Sequence, residues 1–146
     1  MSLTSAPPAV FTVARYWRCA LQVNPSGYLA KYQGGQHGLD EMTYNNQLIE
    51  QCEAIGIKVI GIANHASVDA VDTLRSLAEK HGLVVFPGFE IASSEKIHMV
   101  CLFPEGTTTD HLNRYLGSLD LTDVKDTVRP SRKSSSNLAG SGTRHI

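Results

Sequence analysis

The segment IKVIGIA, residues 57–63, is a nearly unbroken run of apolar and β-branched residues, and a second such run, LVVF, follows at residues 83–86. Short apolar runs without alternation mark strands buried on both faces, the usual situation in a parallel sheet. The interval between them, SVDAVDTLRSLAEKHG (67–82), puts Val68, Val71, Leu74 and Leu77 on one helical face. Ser67 is placed to cap this helix, Asp69 to complement its dipole, and Gly82 to end it. A strand, a helix and a parallel strand in succession close as a right-handed crossover, and ligands collect at the carboxyl ends of such strands.

The flanks extend the pattern. WRCALQV (17–23) reads as a first strand, and NPSGYLAKYQGGQHGLD (24–40) as a Gly-rich loop of a length that usually carries function. TYNNQLIEQCEAIG (43–56) predicts a helix capped by Thr43, with Tyr44, Leu48, Cys52 and Ile55 as its apolar stripe and Gly56 past its end. PGFEIAS (87–93) reads as a turn leading into extended chain, KIHMVCLF (96–103) as a strand, and TTDHLNRYLGSL (108–119) as a short third helix. The expectation is an α/β domain with a mostly parallel sheet over residues 14–122. A flexible leader precedes it at 1–13, and a disordered, basic, Ser/Gly-rich tail follows at 123–146.

The chain's 146 residues, 42% of them hydrophobic, suit one domain with a real core. A net charge of -1 supplies no general attraction for nucleic acid or anionic lipid, so such binding would need a local patch such as Arg129, Arg132, Lys133 and Arg144 in the tail. The three cysteines are widely spaced and form no C-x-x-C pair, which points to a reduced, cytoplasmic protein. No apolar stretch reaches the length of a membrane span. A G-x-S-x-G elbow and a P-loop are both missing, and Cys52 lies on an apolar stripe, so nucleophilic catalysis has no visible machinery.

Reading the strand ends in order gives Gln22 and Asn24, then Asn64 and His65, then Glu90, with His98 in the last strand. Gln22 and Asn24 are two apart, which in a strand points both to one side. Two imidazoles and a carboxylate at one rim would suit zinc, manganese or iron. Plainer readings stand beside these: Gln22 and Asn24 as an ordinary strand end with a turn at Asn24-Pro25, His65 and Glu90 as capping or turn residues, Glu90 following a Pro-Gly turn, and His98 as a hydrogen-bonded core residue. His37 and Asp40 belong to the long loop, and His81 sits where a helix C-terminus favours a cation.

IGIANHASVDAV (60–71) resembles the I-x-I-T-D-H-D-x-V-x-G segment of the PHP (polymerase and histidinol phosphatase) superfamily, and VVFPGFEIASSEKIHMVCLF (84–103) resembles its P-G-x-E-I-S … H-x-L segment. RCALQVNP (18–25) then falls on the family's opening R-x-D-L-H-x-H-T. The resemblance spans roughly residues 14–117 and implies part of a distorted (β/α)7 barrel built from βαβ units. It further implies kinship with metal-dependent phosphoesterases acting on phosphate esters or nucleotides, and with modules attached to DNA polymerases or large AAA or SMC-like ATPases.

Carried over by position, His65, Glu90 and His98 match metal ligands, and Glu90 matches a carboxylate that bridges two ions. Gln22 and Asn24 stand where the family has its H-x-H pair, Ala20 and Asn64 where it has aspartates, and Ala66 where it often has a polar residue. The later D-x-H segment has no counterpart. An amide is a poor zinc ligand but a good hydrogen-bonding group. The expectation is therefore an eroded centre holding at most one weakly bound ion, with Gln22 and Asn24 bonded to His65 or His98. The alternative is a non-catalytic module of a larger ATPase or DNA-processing protein. A barrel that does not close leaves open strand edges, which invite self-association or coverage by such a partner.

Overall fold

A computed structural model describes residues 16–32 and 38–121, with the side chains of 30–32 excepted. The expected leader and tail lie outside the described residues, as does His37. Eight elements follow in order: β1 (Arg18–Val23), α1 (Ser26–Tyr32), α2 (Glu41–Ala54), β2 (Ile57–His65), α3 (Val71–Lys80), β3 (Val84–Ala92), β4 (His98–Leu102) and α4 (Thr109–Ser118). The strands form one sheet in the order β1-β2-β3-β4.

β1, β2 and β3 are parallel, as the apolar runs require, but β4 runs antiparallel to β3, so the sheet is mixed and not mostly parallel. The connection explains the reversal. Residues 93–97 are too few for a crossover, which takes a dozen or more. They close a tight turn instead, in which Lys96 N–H donates to the Ser93 carbonyl (2.9 Å) and Ser93 N–H to the Ile97 carbonyl (2.9 Å).

One face of the sheet presents Ile60 and Ile62 from β2 with Val85, Phe89 and Ile91 from β3. These pack with Ile49 and Cys52 of α2, Val71, Leu74 and Ala78 of α3, and Leu112 and Leu116 of α4. Each fully buried aliphatic side chain here contributes about 1.5–3 kcal/mol. Arg75 links the helices at the periphery, donating to the Thr107 carbonyl (2.7 Å) and pairing with Asp72, which also accepts from the Thr109 hydroxyl (2.8 Å).

The opposite face carries Val59, Gly61, Ala63 and His65 on β2 beside Phe86, Gly88 and Glu90 on β3, by alternation and register. A Cβ on Gly61 would lie 2.9 Å from both methyl groups of Leu102, although β4 is two strands away. The sheet therefore curls with this face inside. At Gly88 the approach is closer still, because a Cβ there would lie 2.0 Å from the Cys101 carbonyl oxygen.

Several local expectations give way. The supposed loop at 24–40 contains α1, begun by Tyr28 and Leu29 N–H groups donating to the Pro25 carbonyl (3.1 and 3.2 Å); glycines at both ends of the stretch hide it in the sequence. α2 starts earlier than Thr43: Asp40 is the cap, accepting from Thr43 N–H (2.9 Å) and the Thr43 hydroxyl (2.6 Å). Its buried stripe is Asn45, Ile49 and Cys52, while Ile55 is 52% exposed as the C-cap.

Ser67 does not cap α3. β2 runs on to His65, so the chain must first turn; the Ser67 hydroxyl accepts from Asp69 N–H (3.0 Å), and the helix begins at Val71 after Ala70 in a left-handed conformation (φ 56°). Pro87-Gly88 is no turn but the middle of β3. Pro87 stands beside the last β3–β4 pair, Gly88↔Leu102, and its carbonyl accepts from Phe103 N–H (2.9 Å), so its lack of an N–H costs the ladder little.

Two outcomes test this account. Gly88→Ala sets a side chain against backbone that cannot rotate away, so urea unfolding should show a loss of at least the ~1–3 kcal/mol typical of overpacking. Thr43 holds the Asp40 carboxyl below the usual aspartate range, first through its hydroxyl and then through its N–H. The cap therefore contributes stability above about pH 4 and loses it as pH falls through the lowered folded-state value. Asp40→Asn, which keeps the acceptor without the charge, should show a shallower decline of stability in acid.

Candidate metal centre

The rim of the sheet brings three donors together from three strands. His65 ends β2 and pairs with Glu90 of β3 in the parallel register. His98 opens β4 and pairs with Ala92. Because β4 is antiparallel, its first residue meets the carboxyl end of β3, which is how a histidine at a strand's start reaches the same rim. One ligating atom from each of His65, Glu90 and His98 lies within 4.8 Å of the others. The two imidazole centroids are 5.7 Å apart with planes tilted by 34°.

Glu90 is the hub. Its side chain is 14% exposed, whereas that of His98 is 60% exposed, so His98 is not the core residue of the plainer reading. One carboxylate oxygen, Oε1, contacts His98 Nδ1. The other, Oε2, accepts from Gln22 Nε2 at 2.6 Å. A carboxylate offers only acceptors, which fixes the amide's NH2 toward it. The backbone is engaged too: the Glu90 carbonyl accepts from Ala66 N–H (2.8 Å). Ala66 adopts φ 45°, a left-handed turn that costs a non-glycine residue about 1–2 kcal/mol and that this bond helps hold.

The two amides part company. Gln22 reaches Glu90, but Asn24 Nδ2 donates to the Ala63 carbonyl (3.2 Å) and to Asn64 Oδ1 (3.1 Å). Neither of these bonds goes to His65 or His98, contrary to the expectation from sequence. The period-two argument fails because the β1–β2 register slips between Ala20 and Val23, and because Asn24 lies just beyond the strand. Asn64 is fully buried, and its Nδ2 donates to the Asp69 carbonyl (2.8 Å). Alternation turns it away from His65, so it braces the turn before α3 and stands apart from the three donors.

Tyr28 escaped the sequence reading. It is 1% exposed, and its hydroxyl accepts from His65 N–H (3.1 Å), fixing the backbone that carries the imidazole. Only a helix inside 24–40 would have revealed it, and Pro25 preceding Ser26 was the available signal. α1 is itself tied down by Ser26 N–H donating to the buried Asn45 Oδ1 (3.2 Å). Burial raises the thiol pKa of Cys101 and, with the charge of Glu53 adding to it, that of Cys52; neither is a ready nucleophile. His81 Nδ1 lies 3.1 Å from Glu53 Oε1 at the end of α3, outside the rim.

The donor set fits a divalent ion chemically: two imidazoles and one carboxylate are the ligands zinc, manganese and iron take. Bonds of about 2.0–2.2 Å demand donors closer than 4.8 Å, so the imidazoles have to draw in slightly. The exposed His98 has the freedom to do so.

Asn64 supplies a test of the buried bracing. Asn64→Asp replaces the donor facing the Asp69 carbonyl with a second acceptor, and loss of a buried hydrogen-bond partner costs about 1–3 kcal/mol. Chemical denaturation at neutral pH should show at least that loss, with partial recovery in mild acid as the carboxyl protonates. Comparison of the chain with protein-family profiles, with curated proteins and with solved structures finds no match.

Proposed function

We propose that this chain is a PHP-like α/β domain related to metal-dependent phosphoesterases, with a reduced centre at His65, Glu90 and His98 that holds a single divalent ion. The observation that supports this reading is the convergence of those three side chains from β2, β3 and β4 to within 4.8 Å at the sheet rim. An ion bound there would supply Lewis acidity toward a phosphoryl oxygen and lower the pKa of bound water. The protein's own residues do the rest. Glu90 brings the negative charge, Tyr28 fixes the backbone of His65, and the exposure of His98 leaves the centre open to a phosphate ester or nucleotide.

A second reading is a non-catalytic module of a larger ATPase or DNA-processing protein. It is favoured by the carboxamides themselves, since Gln22 and Asn24 spend their hydrogen bonds on Glu90 and Asn64. It also draws on the two sheet edges. β1 leaves Leu21 50% exposed, Trp17 just before the strand is 55% exposed, and β4 leaves Met99 and Val100 exposed. Unpaired strand edges with apolar residues are surfaces a partner or a second copy can cover. In either reading no helix among the described residues is long and apolar enough to cross a membrane.

Calorimetric titration of metal-free protein with Zn²⁺ and Mn²⁺ tests the centre. One ion per chain is expected, with His98→Ala weakening binding by at least tenfold, since even outer-shell changes cost about 10–100-fold. Metal-dependent hydrolysis of a phosphomonoester, lost in the same variant, would favour the catalytic reading. Binding without hydrolysis would favour the module, and no binding at all would overturn the centre.

A further inference from the structure

Resting on the reading of His65, Glu90 and His98 as a metal centre, we propose that Gln22 is its positioning residue, holding the Glu90 carboxylate so that one oxygen faces the imidazoles. Glu90 has two oxygens with different duties. Oε1 contacts His98 Nδ1 and so lies on the side where an ion would sit. Oε2 is held by Gln22 Nε2 at 2.6 Å, a short hydrogen bond to a carboxylate, the kind of acceptor that strengthens such bonds. A carboxylate pinned at one oxygen presents the other monodentately and cannot rotate to chelate with both. Metal-ligating carboxylates are commonly held this way by an outer shell that sets their orientation.

The backbone of β1 is built to deliver this contact. Its pairing with β2 passes from Ala20↔Ile60 to Val23↔Ile62, so Leu21 and Gln22 together stand opposite Gly61 alone. That extra residue is a β-bulge, a device that re-aims a side chain and occurs beside functional sites. Glu90 lies two strands from Gln22; on that face of β2, Gly61 stands opposite Gln22 and His65 opposite Glu90, and the residue between those two levels is the small Ala63. Bulge, curl and small residues together allow an amide on the edge strand to reach a carboxylate on β3.

The experiment compares Gln22→Ala and Gln22→Leu with wild type and with His98→Ala, using Zn²⁺ calorimetry and the visible spectrum of bound Co²⁺. Both Gln22 variants should bind Zn²⁺ about tenfold or more weakly. Their Co²⁺ bands should weaken as the freed carboxylate chelates and raises the coordination number, a change that a merely structural role would not produce. Thermal unfolding of the metal-free protein should stay near wild type, because Gln22 is exposed. Unchanged or tighter Zn²⁺ binding in both Gln22 variants, with binding still lost in His98→Ala, would overturn the role of Gln22 alone. Absence of binding in wild type would overturn the centre itself and this role with it.

Discussion

The close passage of β4 over Gly88 and Gly61 is the constraint on which the architecture turns. A flat four-stranded sheet would leave β1 and β3 separated by the full width of β2, beyond comfortable reach of one amide. Curvature shortens that path. It is possible because neither glycine carries a Cβ where the Cys101 carbonyl and the Leu102 methyls must lie. The same curvature closes the inner face enough to bury Ala63, while the outer face stays broad enough to take three helices.

The rim inherits its chemistry from that geometry. Three strands contribute one donor each, so no single loop determines the spacing. The positions follow from the β2–β3 register, the tight turn at 93–97 and the bulge in β1. Sites placed on strands are held more firmly than sites on loops, because ladder hydrogen bonds and packing fix the backbone that carries each side chain. Here Tyr28 and the Ala66–Glu90 backbone bond add restraint where β2 ends.

Much of this was legible in the residues. IKVIGIA and LVVF announce buried parallel strands, and the order of the strand ends already groups His65, Glu90 and His98. What escaped reading depends on non-local geometry. The direction of β4 is set by the length of its connection and not by its composition, so KIHMVCLF looks the same in either sense. The separation of Gln22 from Asn24 comes from a register slip, which alternation cannot foresee. α1 was masked by the glycines around it, and the buried stripe of α2 shifted by one position because Asn45 is held inside by Ser26, which hydrophobicity alone would not select.

Gln22, Glu90, His98, Asn24 and Asn64 find hydrogen-bond partners at the rim without an ion, which bears on how folding and ion binding would relate. Among the described residues no buried side-chain nitrogen or oxygen lacks a partner. Glu90 spends one oxygen on Gln22 and the other on His98, while Asn24, Asn64 and the Asp69 carbonyl form a separate chain. Small structural zinc domains behave differently, because their ligands have no other partners and the fold collapses without the ion. Here the apolar core and these hydrogen bonds hold the rim, so an ion bound there would contribute stability only through mass action, in proportion to RT ln(1 + [L]/Kd). Binding would also have to break the His98–Glu90 contact, which would set affinity against a bond the protein already makes. A centre arranged this way would fill or empty with the local ion concentration while its scaffold stayed folded.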